Sequence, residues 1–241
     1  MLDQVQRIQQ QALDTRRRPQ PEEGPLTILY EDAAVLVVSK PAGIVVHPTY
    51  RNSSGTLLNA VLWHYRDRPG MQPGILTRLD KDTSGVVVMA LTPQLHATMQ
   101  KDMNAGRVTK EYLAVVNGVP DPPNGRISLP LGRSAEDRRI VVVRDDGQHC
   151  VTDYEILEVH DDWTLVRCKL HTGRTHQIRV HLATSGWPIL GDRVYGTASE
   201  RIARQALHAW RVTLSHPVTR ELVSLTAPLP ADVAALVAGP P

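Results

Sequence analysis

The chain has 241 residues, 41% of them apolar, with 27 basic residues set against 25 acidic ones for a net charge of +2. That is ample for a packed core, and so even a balance leaves any affinity for a polyanion to local clusters of charge. Two cysteines, Cys150 and Cys168, are too few for a disulfide framework, no apolar run approaches the ~18 residues of a membrane span, and Met1 to Arg18 lacks an apolar signal-peptide centre, so a cytoplasmic protein is expected.

Residues 1 to 24 read as a polar, flexible arm: Val5, Ile8 and Leu13 allow a short helix, Arg16 to Arg18 form a solvated charge run, and Pro19 to Pro25 breaks it. Strand signals begin at Leu26 to Tyr30 and Ala34 to Val38, stop at Lys40-Pro41 with a turn at Ala42-Gly43, and resume over Ile44 to Val46. Leu57, Leu58, Val61, Leu62 and Tyr65 recur at helical spacing, with Ser53, Ser54 or Thr56 available as caps. A charged segment, Thr77-Arg78-Leu79-Asp80-Lys81-Asp82-Thr83-Ser84-Gly85, then runs into the apolar strand Val86 to Leu91. Such an abrupt step from polar turn to buried strand holds reactive side chains at the edge of a core, or simply shapes a turn with its own ion pairs. Thr92-Pro93 starts a helix carrying Leu95, Met99 and Met103, and Gly106 ends it.

Glu111 to Val116 reads as a strand and Pro120 to Asn124 as a loop. Ile140 to Arg144, Val151 to His160 and Trp163 to Leu170 read as antiparallel neighbours joined by Asp-rich turns. His171 to Gly186 turns at Thr172-Gly173 and becomes a short helix with Ile178 and Leu182 on one face; a helix is expected over Ala198 to Gln205, strands over Trp210 to Ser215 and Leu222 to Thr226, and an Ala/Val-rich helix at the end. With no repeat of solenoid period and no mid-chain linker, the fold class is α+β: a single domain over 25–241 with a mixed, mostly antiparallel central sheet flanked by helices.

Several chemistries are disfavoured by spacing. His171, His176 and His181 stand five apart, about 140° of rotation on a helix and opposite faces on a strand, so they do not converge on one metal ion. HExxH, paired CxxC, a GxSxG elbow and a GxxxxGK[ST] loop are all missing. What remains is Asp80 with Arg78 before it, Tyr112 after Lys110, and Arg174 and Arg179 flanking a helix start, a set that residue types alone leave without an assigned reaction.

Six stretches in order carry a resemblance: Val37 to Gly43 through His47-Pro48, Arg78 to Gly85, Lys110-Glu111-Tyr112-Leu113, Thr172 to Leu182, Gly191-Asp192 to Tyr195-Gly196, and Leu207-His208-Ala209. Together they resemble the RluA-type pseudouridine synthases over nearly all of residues 26 to 230. The resemblance implies isomerisation of a uridine within structured RNA, large-subunit (23S) ribosomal RNA or alternatively transfer RNA, without metal or organic cofactor. It implies that Asp80 is the nucleophile, that Tyr112 lies against the base and serves in removing the C5 proton, that Arg179 is the ion-pairing cation, and that Arg78 fills the space left by the flipped nucleotide. Lys40, Arg174 and His176 join Arg78 as candidates for binding RNA, with structural roles weighed beside that one.

Thr77, Ser39 and Trp187 depart from the family's frequent His, Asn and His, leaving the consequence of Thr77 open. No S4-like RNA-binding domain is expected before residue 25, and a monomer is the expected form. The competing readings are a catalytically silent RNA-binding protein, which would lose Asp80 or Tyr112, and a metal-dependent hydrolase.

Overall fold

The computed structural model describes residues 19–49 and 52–238. The expected helix within residues 1 to 18, with Arg16 to Arg18, lies outside the described residues. Residues 20 to 22, expected in the arm, lie against a helix start: the Gln20 carbonyl accepts from the Asn59 amide at 2.6 Å, and the Glu22 carboxylate accepts the Gly55 N–H at 2.7 Å.

The strands in chain order are β1 (Thr27–Glu31), β2 (Val35–Lys40), β3 (Gly74–Ile75), β4 (Ser84–Ala90), β5 (Thr109–Asn117), β6 (Asn124–Ser128), β7 (Leu131–Arg133), β8 (Val141–Val143), β9 (Val151–Val159), β10 (Trp163–Leu170), β11 (Leu207–Ser215) and β12 (Leu222–Thr226). The helices are α1 (Leu57–His64), α2 (Pro93–Asn104), α3 (Gln177–Thr184) and α4 (Ala231–Val237). Ten strands form one sheet in the order β1-β2-β4-β11-β5-β10-β9-β6, with β3 on β4 and β12 on β11, while β7 and β8 pair apart. Every described pairing is antiparallel except β4 with β11, so the architecture is the expected mixed, mostly antiparallel α+β sheet.

The uninterrupted apolar runs of β2 and β4 follow from burial on both faces. Val35, Val37, Val86, Val88 and Ala90 face Met99 of α2, while Leu36, Val38, Val87 and Met89 face Leu57 and Val61 of α1. The largest cluster joins β5, β10 and β11 to Ile178 and Leu182 of α3 and to Val233 and Leu236 of α4. Thr56 caps α1 through a capping box with Asn59, and Thr92 caps α2 with Pro93 in its first turn.

Four local expectations change. Ile44 to Val46 is not a strand, because the Val45 and Val46 carbonyls are taken by the N–H groups of Leu57 and Leu58 at the first turn of α1. Ala198 to Gln205 is not a helix: the segment is irregular, with bends at residues 200, 201, 203 and 204, and the Ala206 N–H beyond it bonds the Leu190 carbonyl at 2.9 Å. Ile140 to Arg144 does contain a strand, β8, but it pairs with β7 and not with β9. The loop expected to Asn124 gives way there to β6, which takes the outer edge of β9.

Candidate active site

Asp80 stands four residues before β4, in a turn closed by the Thr83 N–H on the Asp80 carbonyl at 3.1 Å. The turn is bound from three directions. Lys40, at the end of β2, places its ammonium on the carbonyls of Pro41 at 2.8 Å, Ile44 at 2.8 Å and Lys81 at 2.9 Å. Arg204 donates to the Asp82 carbonyl at 2.9 Å while its fork grips Asp232 at 2.7 and 2.9 Å. Ser84 meets His208 Nδ1 at 2.9 Å, across the one parallel pairing in the sheet. Gly85 makes that pairing feasible: its φ is +115°, and a Cβ there would lie 2.1 Å from the Ala209 carbonyl oxygen. Thr77, whose consequence the sequence left open, is buried, and its hydroxyl accepts the Val88 N–H at 2.9 Å, tying the chain before Arg78 to the middle of β4.

On the other side of the cleft, Arg179 in the first turn of α3 bridges two carboxylates. Its Nε and Nη2 donate to Asp192 at 2.7 and 2.9 Å, and its Nη1 donates to Asp80 at 2.9 Å. Asp192 and Arg179 are buried, with side chains 1% and 6% exposed, whereas Asp80 keeps 23% of its side chain open. Burial works against the Asp192 anion, yet the guanidinium and the N–H groups of Val194 and Tyr195, at 3.0 and 3.2 Å, hold its carboxyl below the ordinary range. Arg179 is correspondingly raised, because Asp192 and Asp80 outweigh its desolvation. The result is a permanent cation locked in orientation by one carboxylate and offering its remaining edge to another.

His176 sits in the left-handed conformation at the start of α3, with φ 55°. Its Nε2 is 3.8 Å from Asp80, and its Nδ1 is 2.7 Å from the Tyr195 hydroxyl. Tyr112, on β5, is buried beside Asp80, and burial first, then the Asp80 charge, raises its phenol, so it is neutral near pH 7. Leu79, Asp80, Tyr112, His176, Ile178 and Arg179 line a small pocket of about 50 Å³. It adjoins a groove of about 880 Å³ whose walls include Arg78, Asp80, Gln100, Lys110, Tyr112 and Arg174. Arg78 and Arg174 are exposed and Lys110 is half-buried; among the described residues, none accepts a hydrogen bond from these three side chains.

Of the residues singled out from the sequence, Asp80, Tyr112, Arg179 and His176 converge on the pocket, and Arg78 and Arg174 stand on the groove. Lys40 does not: it is 0% exposed, with all three N–H bonds on backbone carbonyls, so the expected contact with RNA is replaced by a structural role. Burial lowers its ammonium to about 8, with Asp82 and Asp80 acting in the opposite sense. Asp192 and Tyr195, although within a stretch that carried the resemblance, received no role; the pairing of Gly191 (φ +74°) with a following Asp was the available sign. His171, His176 and His181 point to Asp153, Tyr195 and Thr152 respectively, and among the described residues no group of three or more His, Cys, Asp or Glu could hold a metal. Nor is any described helix long and apolar enough to cross a membrane.

The fold and the cleft together define the class. A human protein titled RNA Pseudouridylate Synthase Domain Containing 1 superposes with a TM-score of 0.71 at 28% identity, covering 87% of this chain and 86% of that one. Residues 34–184 match the family model described as RNA pseudouridylate synthase. An uncharacterised RNA pseudouridine synthase, YlyB, of Bacillus subtilis is 43% identical over 232 residues, covering 94% of this chain and 75% of the relative. The ribosomal large subunit pseudouridine synthase D of Pasteurella multocida is 41% identical over 240 residues, covering 93% and 74%. The chain belongs to the RNA pseudouridylate synthase family and is an RNA-modifying enzyme.

Proposed function

We propose that this enzyme converts a uridine of large-subunit ribosomal RNA to pseudouridine, with Asp80 as the nucleophile. The observation that carries the assignment is the Asp192–Arg179–Asp80 chain: it puts a fixed guanidinium edge 2.9 Å from a half-open carboxylate at the mouth of a pocket. A carboxylate paired with a cation that releases no proton stays anionic in an enclosed site, which a nucleophile requires.

In the reaction the N1–C1′ bond of the uridine breaks and a C5–C1′ bond forms. The proton on C5 is lost and N1 gains one, so the isomerisation balances without a co-reactant. The target base must first leave its stack, at a cost of a few kcal/mol. Arg78, exposed beside the pocket, is suited to stacking and hydrogen-bonding in the vacated space, offsetting part of that cost. Tyr112 lies against the base as a neutral ring that holds it in place, and the apolar wall of Leu79, Ile178 and Leu207 retains the detached uracil.

Arg78, Asp80, Tyr112 and Arg179 all fall within the family match over residues 34–184. The names of the curated relatives support ribosomal RNA of the large subunit as the substrate. The test has two arms. Asp80→Asn is expected to abolish pseudouridine formation in large-subunit ribosomal RNA while RNA binding persists; turnover near the wild-type rate overturns the nucleophile. Mapping pseudouridines in cells with and without the gene is expected to show a loss confined to large-subunit ribosomal RNA, and a loss confined to transfer RNA overturns the substrate assignment.

A further inference from the structure

The small sheet of β7 and β8 packs beside the cleft without contributing a side chain to the pocket, yet one of its backbone groups reaches the chemistry. The Val141 N–H, at the start of β8, donates to the Tyr195 hydroxyl at 2.9 Å. That hydroxyl lies 2.7 Å from His176 Nδ1. A phenol has one hydrogen to give. Val141 occupies an oxygen lone pair and Nδ1 is the other hydrogen-bond partner of the hydroxyl among the described residues, so the arrangement that uses the phenol hydrogen makes Nδ1 the acceptor and puts the proton of neutral His176 on Nε2. Nε2 is the ring nitrogen that faces Asp80, at 3.8 Å, too far for a hydrogen bond between them.

We propose that His176 is a tautomer-locked, neutral Nε2–H donor to an acceptor oxygen of the flipped nucleotide, with Tyr195 as the positioning residue that sets the lock. The gap of 3.8 Å leaves Nε2–H without an acceptor on Asp80 until substrate enters. The backbone of His176 is held as firmly as its ring: φ of 55° at a non-glycine residue is a strained conformation that aims the imidazole into the cleft and not along α3. Tyr195 is fixed in turn by the loop that presents Asp192, and its ring packs 5.0 Å from the Arg179 guanidinium. The two arms of the site, the ion-pair chain and the histidine, therefore hang from one loop.

The charged and titratable groups facing His176 are Asp80 from the turn before β4, Arg179 from α3, Asp192 and Tyr195 from the loop after α3, and Arg133 from β7. Burial is the largest influence on the imidazole and lowers its pKa below the ordinary 6.5; Asp80 opposes this and Arg179 reinforces it. A second proton would have to enter at Nδ1, where the Tyr195 hydrogen already points. Removing the Tyr195 hydroxyl opens Nδ1 to that proton and lets an imidazolium form beside Asp80. That imidazolium keeps its Nε2–H but pairs with Asp80 and weakens the carboxylate as a nucleophile, so the acid limb of kcat moves to higher pH.

This inference rests on the proposed uridine chemistry for its substrate, and its first readout is independent of turnover. In protein carrying 15N-labelled histidine, His176 of the wild-type chain is expected to show the neutral Nε2–H pattern at pH 7; an Nδ1–H pattern or an imidazolium overturns the lock. Tyr195→Phe is expected to lose that pattern, to lower kcat about tenfold, and to shift the acid limb upward while the melting temperature stays close to wild type. An unmoved acid limb in a folded Tyr195→Phe protein overturns the positioning role. His176→Gln, which carries an amide N–H near the same place, is expected to retain most of kcat, whereas His176→Leu loses about 10²-fold with little change in KM. Equal activity of the Gln and Leu variants overturns the donor role, and Asp80→Asn separately reports whether the underlying chemistry is as proposed.

Discussion

Two sets of cations surround the same carboxylate, and they are employed in opposite ways. Lys40, Arg204 and Arg179 are engaged inside the protein, with their N–H groups on carbonyls and carboxylates that belong to the fold and, for Arg204, on the Ser84 hydroxyl as well. Arg78, Lys110 and Arg174 line the open groove and receive no acceptor from the described residues. Formal charge does not separate the sets; what does is whether the chain itself supplies acceptors. A cation satisfied internally builds geometry, while one left to solvent is free to exchange its counterions for phosphate.

The comparison breaks most visibly at Lys40. Lys40→Met fills a similar volume but strands three buried carbonyls, so a loss of about 3 kcal/mol or more in unfolding free energy is expected, read from the urea midpoint. A Lys40→Met protein with a wild-type midpoint and weakened RNA binding would place Lys40 in the other set. Arg179→Lys keeps the charge but cannot grip Asp192 bidentately and reach Asp80 together, and a fall in kcat of about 10²-fold is expected in single-turnover assays, with RNA affinity nearly unchanged. A purely electrostatic role for Arg179 predicts near-normal kcat instead. The smallest effects belong to the open set: Lys110→Gln and Arg174→Gln should each reduce the slope of log affinity against log salt by about 0.7 to 0.9, raising KM while leaving kcat at saturating RNA unchanged. Slopes identical to wild type would remove both residues from the RNA interface.

Most strands were legible because their residues alternate or cluster by the rules of burial. Val35 to Val38 and Val86 to Ala90 are apolar on both faces, and Thr92-Pro93 capped its helix as expected. What escaped depended on partners distant in sequence. Ile44 to Val46 has strand composition, but the helix start at Leu57 and Leu58 claims its carbonyls. Ala198 to Gln205 has helical composition, yet it runs as an irregular, bent segment tied at its end to Leu190 through Ala206 and to the Asp80 turn through Arg204. Lys40 before Pro41 reads as an exposed turn residue, and only the fold shows three carbonyls folded around it. The groups Asp80, Tyr112, Arg179 and His176 were named from motifs; their convergence, and the part played by Asp192, required the three-dimensional arrangement.

The parallel contact of β4 with β11 has a temporal consequence. Ser84 and Gly85 find their neighbours His208 and Ala209 only after more than half the chain has followed them, and the groups that hold the Asp80 turn from that side, Arg204 and His208, arrive as late. During synthesis, a ribosome-bound fragment ending near β9 already carries Asp80 and Tyr112 but not Arg179, Asp192 or the strand that closes the sheet between β4 and β5. Such long-range closure is slow compared with the local hairpin of β9 and β10. Completion of the cleft around Asp80 therefore waits on the last third of the chain, and a fragment that stops short of it holds Asp80 without the groups that fix its turn.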